Sequence, residues 1–131
     1  MSASSEVIFD TNAAIEWMID QGSFNHLFVE ECVFYATATV LGELYFGAEK
    51  SARRSENMVR IEQFLNVVTV IEIDRETARE YGRVEASLRA RGCVIPQNDM
   101  WIAASAIQHG IALLTRDTHF DNVSALKLIR F

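Results

Sequence analysis

Four acids stand out in this chain of 131 residues because of what surrounds them. Asp10 directly follows the apolar run Val7-Ile8-Phe9 and precedes Thr11-Asn12. Asp117 comes two residues after the run Ile111-Ala112-Leu113-Leu114-Thr115. Each pattern describes a strand buried on both faces that delivers a carboxylate at its end. Asp99 opens Asp99-Met100-Trp101-Ile102-Ala103-Ala104-Ser105-Ala106, a helix leading into the second of those strands. In a parallel βαβ unit such a helix begins at the carboxyl edge of the sheet, so Asp10, Asp99 and Asp117 are expected to converge there. Glu43 is unusual for another reason. Its neighbours one helical turn away, Thr39, Val40, Phe46 and Gly47, include no cation, and a carboxylate in such surroundings is costly unless something positive pairs with it. Singly, each acid has an ordinary explanation: a helix cap for Asp10 or Asp99, a rim glutamate for Glu43, a turn aspartate for Asp117.

Together they imply a cation. Three carboxylates within about 5 Å repel by roughly 3 kcal/mol per pair at an effective dielectric of about 20. They cannot all stay ionised near neutral pH unless a positive charge joins them. An all-oxygen set selects Mg²⁺ or Mn²⁺, one or two ions, over zinc, and such ions serve phosphoryl chemistry. Thr115 shares a strand side with Asp117 and is a candidate to hold an acid or a metal-bound water, set against an ordinary role as a β-branched strand residue. His26, His109 and His119 lack the spacing of a metal site or of a nucleophile–base pair; His109 closes a helix, and His119 is expected to be incidental although it is near the acids. Arg53, Arg54, Arg89, Arg91 and Arg116 are candidates for phosphate contacts, set against an ordinary role as solvated surface. The sequence holds no glycine-rich phosphate loop, CxxC pair or GxSxG elbow.

These residues must be carried by alternating strands and helices. Strands are expected at residues 7–9, 32–36, 67–73, 111–115 and 126–130, and helices at 13–20, 24–31, 40–49, 55–66, 75–91 and 99–109. Thr11 and Asn12 are candidate caps for the first helix, 21–23 is a turn, and Asp74 caps the long charged helix that Gly92 stops. That helix has an expected inner stripe of Ala78, Tyr81, Val84 and Leu88. The alternation predicts an α/β protein with a mainly parallel, right-handed sheet covered on both faces, in a single domain over 1–131.

Composition narrows the classes. Half of the residues are hydrophobic, enough for one full core. No apolar run has membrane-spanning length, and the polar start lacks the pattern of a signal peptide, so a cytoplasmic location is the expectation. Cys32 and Cys93 fit reduced thiols better than a bridge or a metal site. A net charge of −6 argues against a protein that coats phosphates with a basic face. It is compatible with a nucleic-acid enzyme whose acids hold metal, since two divalent ions would bring −6 to about −2. An acidic cleft also suits a basic partner.

Four stretches carry a resemblance: Phe9-Asp10-Thr11-Asn12, Val40-Leu41-Gly42-Glu43-Leu44-Tyr45-Phe46-Gly47-Ala48, Ile95-Pro96-Gln97-Asn98-Asp99-Met100-Trp101-Ile102-Ala103-Ala104, and Gly110-Ile111-Ala112-Leu113-Leu114-Thr115-Arg116-Asp117-Thr118-His119-Phe120. In this order and at these spacings the chain resembles the PIN-domain ribonucleases, and within them the VapC-type toxins of bacterial toxin–antitoxin pairs. The resemblance implies a three-layer α/β/α fold with a short parallel sheet, and a Mg²⁺- or Mn²⁺-dependent endoribonuclease. It implies a metal site of Asp10, Glu43, Asp99 and Asp117, supported by Thr115, with Asn12 as the polar residue beside the first acid. It also implies a homodimer and a VapB-like antitoxin whose tail covers the acidic cleft, with DNA reached only through that antitoxin. Three alternatives are weighed against it. A phosphatase with Asp10 as nucleophile would need an aspartate where Asn12 stands. A non-catalytic module would use the acids to capture a basic peptide. A housekeeping PIN nuclease would process RNA without an antitoxin.

Overall fold

The computed structural model describes residues 4–22 and 24–131, and Ser23 of the expected turn lies outside them. Among the described residues are five strands and five α-helices. In chain order they are β1 (Ser4–Phe9), α1 (Thr11–Ile19), β2 (Phe28–Thr37), α2 (Ala38–Glu49), α3 (Arg54–Leu65), β3 (Val68–Ile71), α4 (Arg75–Ala90), α5 (Gln97–His109), β4 (Leu113–Thr115) and β5 (Leu128–Arg130). Short 3₁₀ turns occupy Asn25–Leu27 and Thr118–Asn122. The sheet order is β3-β2-β1-β4-β5 and every pair is parallel.

This order makes β1 the pivot. Its successor β2 lies on one side and β4 on the other, with Ile8 opposite both Tyr35 and Leu113. The connections therefore reverse direction between β1 and β4, and a crevice opens at their carboxyl ends. Val7, Ile8 and Phe9 are completely buried, as a central strand of a three-layer α/β/α fold requires. On one face Phe9 packs against Phe34 of β2, Phe64 of α3 and Phe24, and Trp17 of α1 also meets Phe64. The other face is covered by the paired helices α4 and α5, which contribute Val84, Leu88, Ile102, Ala103 and Ala106 to the core.

Several expectations need correction. The helix expected over 24–31 is only the 3₁₀ turn Asn25–Leu27, and β2 already begins at Phe28. The run from Phe28 to Thr37 is aromatic and β-branched, and pairing with β1 from Ser4 onward wins over a short helix; a register shift between Ser4 and Glu6 absorbs its extra residues. In α4 the buried positions are Thr77, Val84 and Leu88, with Tyr81 half-buried, while Ala78 is exposed. Thr77 takes the inner place because it completes a capping box with Asp74 and donates to Gln108 of α5 at 2.5 Å. Strands β3, β4 and β5 are shorter than the apolar runs that signalled them. Gly110 ends α5 in the left-handed conformation at φ 66°, which turns the chain into β4. Cys32 and Cys93 are free and half-buried. No helix among the described residues is long and apolar enough to cross a membrane.

Candidate metal centre at the carboxyl ends of β1 and β4

Asp10 is the first residue after β1 and is only 3% exposed. It, and not Thr11 or Asn12, caps α1: Oδ1 accepts from the Ala13 amide at 2.7 Å. Its other oxygen accepts from the Thr115 hydroxyl at 2.5 Å, a bond that ties the end of β4 to the end of β1. The same side chain thus caps α1 and joins the ends of β1 and β4. Burial raises its pKa above the usual carboxylate value, with the Thr115 and Ala13 hydrogen bonds pulling the other way and the Asp117 charge adding to the rise.

Thr115 organises both acids. Its hydroxyl oxygen also accepts from the Asp117 amide at 2.9 Å, so one buried side chain sets Asp10 and the start of the following turn. Asp117 caps that turn by accepting from the His119 amide at 2.9 Å. Its carbonyl accepts from Arg130 of β5 at 2.9 Å, and Arg130 also pairs with Asp121. Asp99 sits in the first turn of α5, where Pro96 occupies the cap position and no side chain caps the helix. Its carboxylate is therefore available to face the sheet edge. Burial first, and the neighbouring Asp117 charge second, push Asp99 up to about 6, with His119 opposing and Glu43 adding a further rise.

Glu43, in the middle of α2, is half-buried and accepts from Thr11 Oγ1 at 2.9 Å. Thr11 is thus a support for Glu43 across 32 positions of sequence, which its place beside a helix start did not reveal. Asn12 is exposed and makes no hydrogen bond to these acids among the described residues. Arg116 pairs with Glu16 of α1 at 3.7 Å and lies 5.2 Å from the Phe131 ring, so it flanks the acids without bridging them.

The residue that sequence reasoning set aside is His119. Its Nδ1 lies 3.3 Å from Asp99 Oδ2 and 3.1 Å from Asp117 Oδ1, so it is not incidental. One donor atom from each of Asp99, Asp117 and His119 falls within 4.8 Å of the other two. The 3₁₀ turn that Asp117 caps brings His119 back over Asp117; a turn aspartate is legible in the sequence, but not which acids the ring beyond it meets. The centre as a whole is a set of mutually repelling carboxylates, two of them with raised proton affinity, gathered where an α/β sheet binds ligands. Oxygen donors in this density fit a hard divalent cation.

A family model described as PIN domain matches residues 7–126. Ribonuclease VapC2 of Haemophilus influenzae is 34% identical over 105 residues, covering 79% of this chain and 77% of that protein. The tRNA(fMet)-specific endonuclease VapC of Shigella flexneri is 32% identical over 92 residues, 70% of each chain. The crystal structure of VapBC2 from Rickettsia felis bound to a promoter DNA fragment superposes with a TM-score of 0.88 at 24% identity, over 95% of this chain and 98% of that one. The chain belongs to the PIN-domain family and, within it, to the VapC ribonucleases.

Proposed function

We propose that residues 1–131 form one PIN domain that acts as a metal-dependent endoribonuclease, the toxin of a toxin–antitoxin pair. The observation that carries the chemistry is the convergence of Asp10, Glu43, Asp99 and Asp117 at one crevice, with Asp99 held near 6 by burial and by Asp117. The donors fit Mg²⁺ or Mn²⁺, which when bound acidifies water and offsets charge gathering on phosphate oxygens. Asp10, Asp99 and Asp117 hold the ion or ions. Thr115 fixes Asp10 and the Asp117 backbone in a geometry that needs no reorganisation when RNA arrives. Thr11 holds one oxygen of Glu43, leaving Oε2 without a protein hydrogen bond among the described residues. Glu43 either completes the ligand set or orients the attacking water through that oxygen. The VapC relatives named above as ribonuclease and tRNA endonuclease support RNA as the substrate class.

A groove of about 270 Å³ runs from Thr11 and Glu43 between α1, α2 and α3, past Ile15, Ile19 and Gly47. Ile15 and Ile19 are 42% and 70% exposed beside it. An apolar groove ending at Glu43 suits an amphipathic segment with a basic end, which supports the antitoxin as the partner that covers the site and brings any DNA contact. The homodimer is carried over from the family resemblance.

The test compares wild type, Asp10→Asn and Asp99→Asn on total cellular RNA, with Mg²⁺, with Mn²⁺ and with chelator. Asparagine is chosen at position 10 because its amide oxygen keeps the cap of α1, which alanine would remove. Discrete cleavage that requires both the ion and the two acids is expected. Folded wild type that cleaves nothing with either metal would overturn the enzymatic reading. The toxin role is tested separately by expression: growth arrest relieved by the product of an adjacent small gene supports it, and its lack favours a processing enzyme.

A further inference from the structure

The ligand set proposed above is all oxygen and leaves one side chain at its centre unused. His119 places Nδ1 at 3.1 Å from Asp117 Oδ1 and 3.3 Å from Asp99 Oδ2. We propose that His119 Nδ1 is itself a ligand of the ion held by Asp99 and Asp117, so that this centre is a mixed oxygen–nitrogen site that prefers Mn²⁺ over Mg²⁺. The inference rests on the metal-dependent reading of the same site.

Two features of the geometry favour coordination over a simple hydrogen bond. A charge-assisted N–H···O bond comes to about 2.7–2.9 Å and an ordinary one reaches about 3.2 Å, so the contacts at 3.1 and 3.3 Å are at the long end of hydrogen bonding. A single Nδ1 also carries at most one proton, yet it stands almost equally far from two acids. Adjacent donors around a six-coordinate ion with bonds of about 2.1–2.2 Å lie about 3 Å apart, which is the spacing found.

The backbone holds the ring in this place. The His119 amide is bound to Asp117 Oδ1, and the next residue, Phe120, is 1% exposed in the core. The His119 side chain is 48% exposed, so the ring reaches an ion without displacing packed groups. A nitrogen donor shifts the preference of a carboxylate site away from Mg²⁺, which favours oxygen and keeps its waters, toward first-row transition ions.

The experiment uses MnCl₂ as the probe, with binding followed by electron paramagnetic resonance and the ligand read from ¹⁴N modulation in pulsed spectra. MgCl₂ competition gives the second affinity. Wild type is compared with His119→Gln, with His109→Gln at the far end of α5 and Asp99→Asn as controls, all checked for folding by circular dichroism. We expect ¹⁴N modulation in wild type and His109→Gln and none in His119→Gln. His119→Gln should weaken Mn²⁺ by about tenfold or more while changing Mg²⁺ much less. Bound Mn²⁺ without ¹⁴N modulation in wild type, or an equal loss of both ions in His119→Gln, would overturn nitrogen ligation while leaving the metal centre standing. Wild type that binds Mn²⁺ no better than Asp99→Asn would overturn the metal centre and this inference together.

Discussion

Replacing Asp117 by asparagine should stabilise the metal-free protein while removing its response to metal. Donor atoms of Asp99 and Asp117 lie within 4.8 Å of each other, and two unit charges at that distance repel by about 3.5 kcal/mol at an effective dielectric of about 20. The side chains are 17% and 28% exposed and His119 stands between them, so screening reduces the gain to about 1–2 kcal/mol. Asparagine keeps the acceptor for the His119 amide, so the cap of the following turn survives. For a domain of this size, that gain raises Tm by about 4–8 °C in chelator at pH 7.5. Wild type should gain further stability when Mn²⁺ is added, and the variant should not. In the same variant the Asp99 carboxyl, followed by ¹³C NMR, should titrate below the value of about 6 that it has in wild type. A Tm that falls in chelator, with the Mn²⁺ response intact, would refute the claim that these two acids oppose each other and share an ion.

Other consequences follow from the same geometry. Because Asp99 takes up its proton at about 6 when folded and near 3.8 otherwise, the metal-free fold binds extra protons between those values. Stability in chelator should therefore fall as pH rises through that window, and Asp99→Asn should flatten the profile in urea titrations. At subsaturating metal, protonation of the same group should lower Mn²⁺ affinity by about tenfold per pH unit below about 6, read by titration calorimetry. Thr115→Val removes the hydroxyl that serves both Asp10 and the Asp117 amide, and should cost about 1–3 kcal/mol in urea unfolding. Thr11→Val should leave stability within about 1 kcal/mol of wild type, since its bond to Glu43 is only part-buried. It should nonetheless slow RNA cleavage by about 10- to 100-fold if Glu43 must be held in place.

Much of this protein is written locally. An apolar triplet followed by an acid marks β1 and Asp10, and the capping residues Thr37, Asp74 and the closing Gly110 fall where their side chains or φ angles are needed. The alternation of strands and helices then fixes a parallel sheet, because parallel neighbours need helical crossovers. Where the signal was short it misled. Residues 24–31 carry apolar groups too few to distinguish helix from strand, and pairing with β1 decided for the strand. What no local pattern contains is proximity between distant residues. The placement of β4 directly beside β1 lets the Thr115 hydroxyl reach Asp10 across 105 positions. The packing of α2 brings Glu43 to Thr11, and one 3₁₀ turn carries His119 from an apparently idle position to a point between Asp99 and Asp117. Residue types and periodicity fix which groups are available and which face they occupy. Sheet order and helix packing alone fix the few ångströms between them, and the repulsion that calls for a cation depends on those distances.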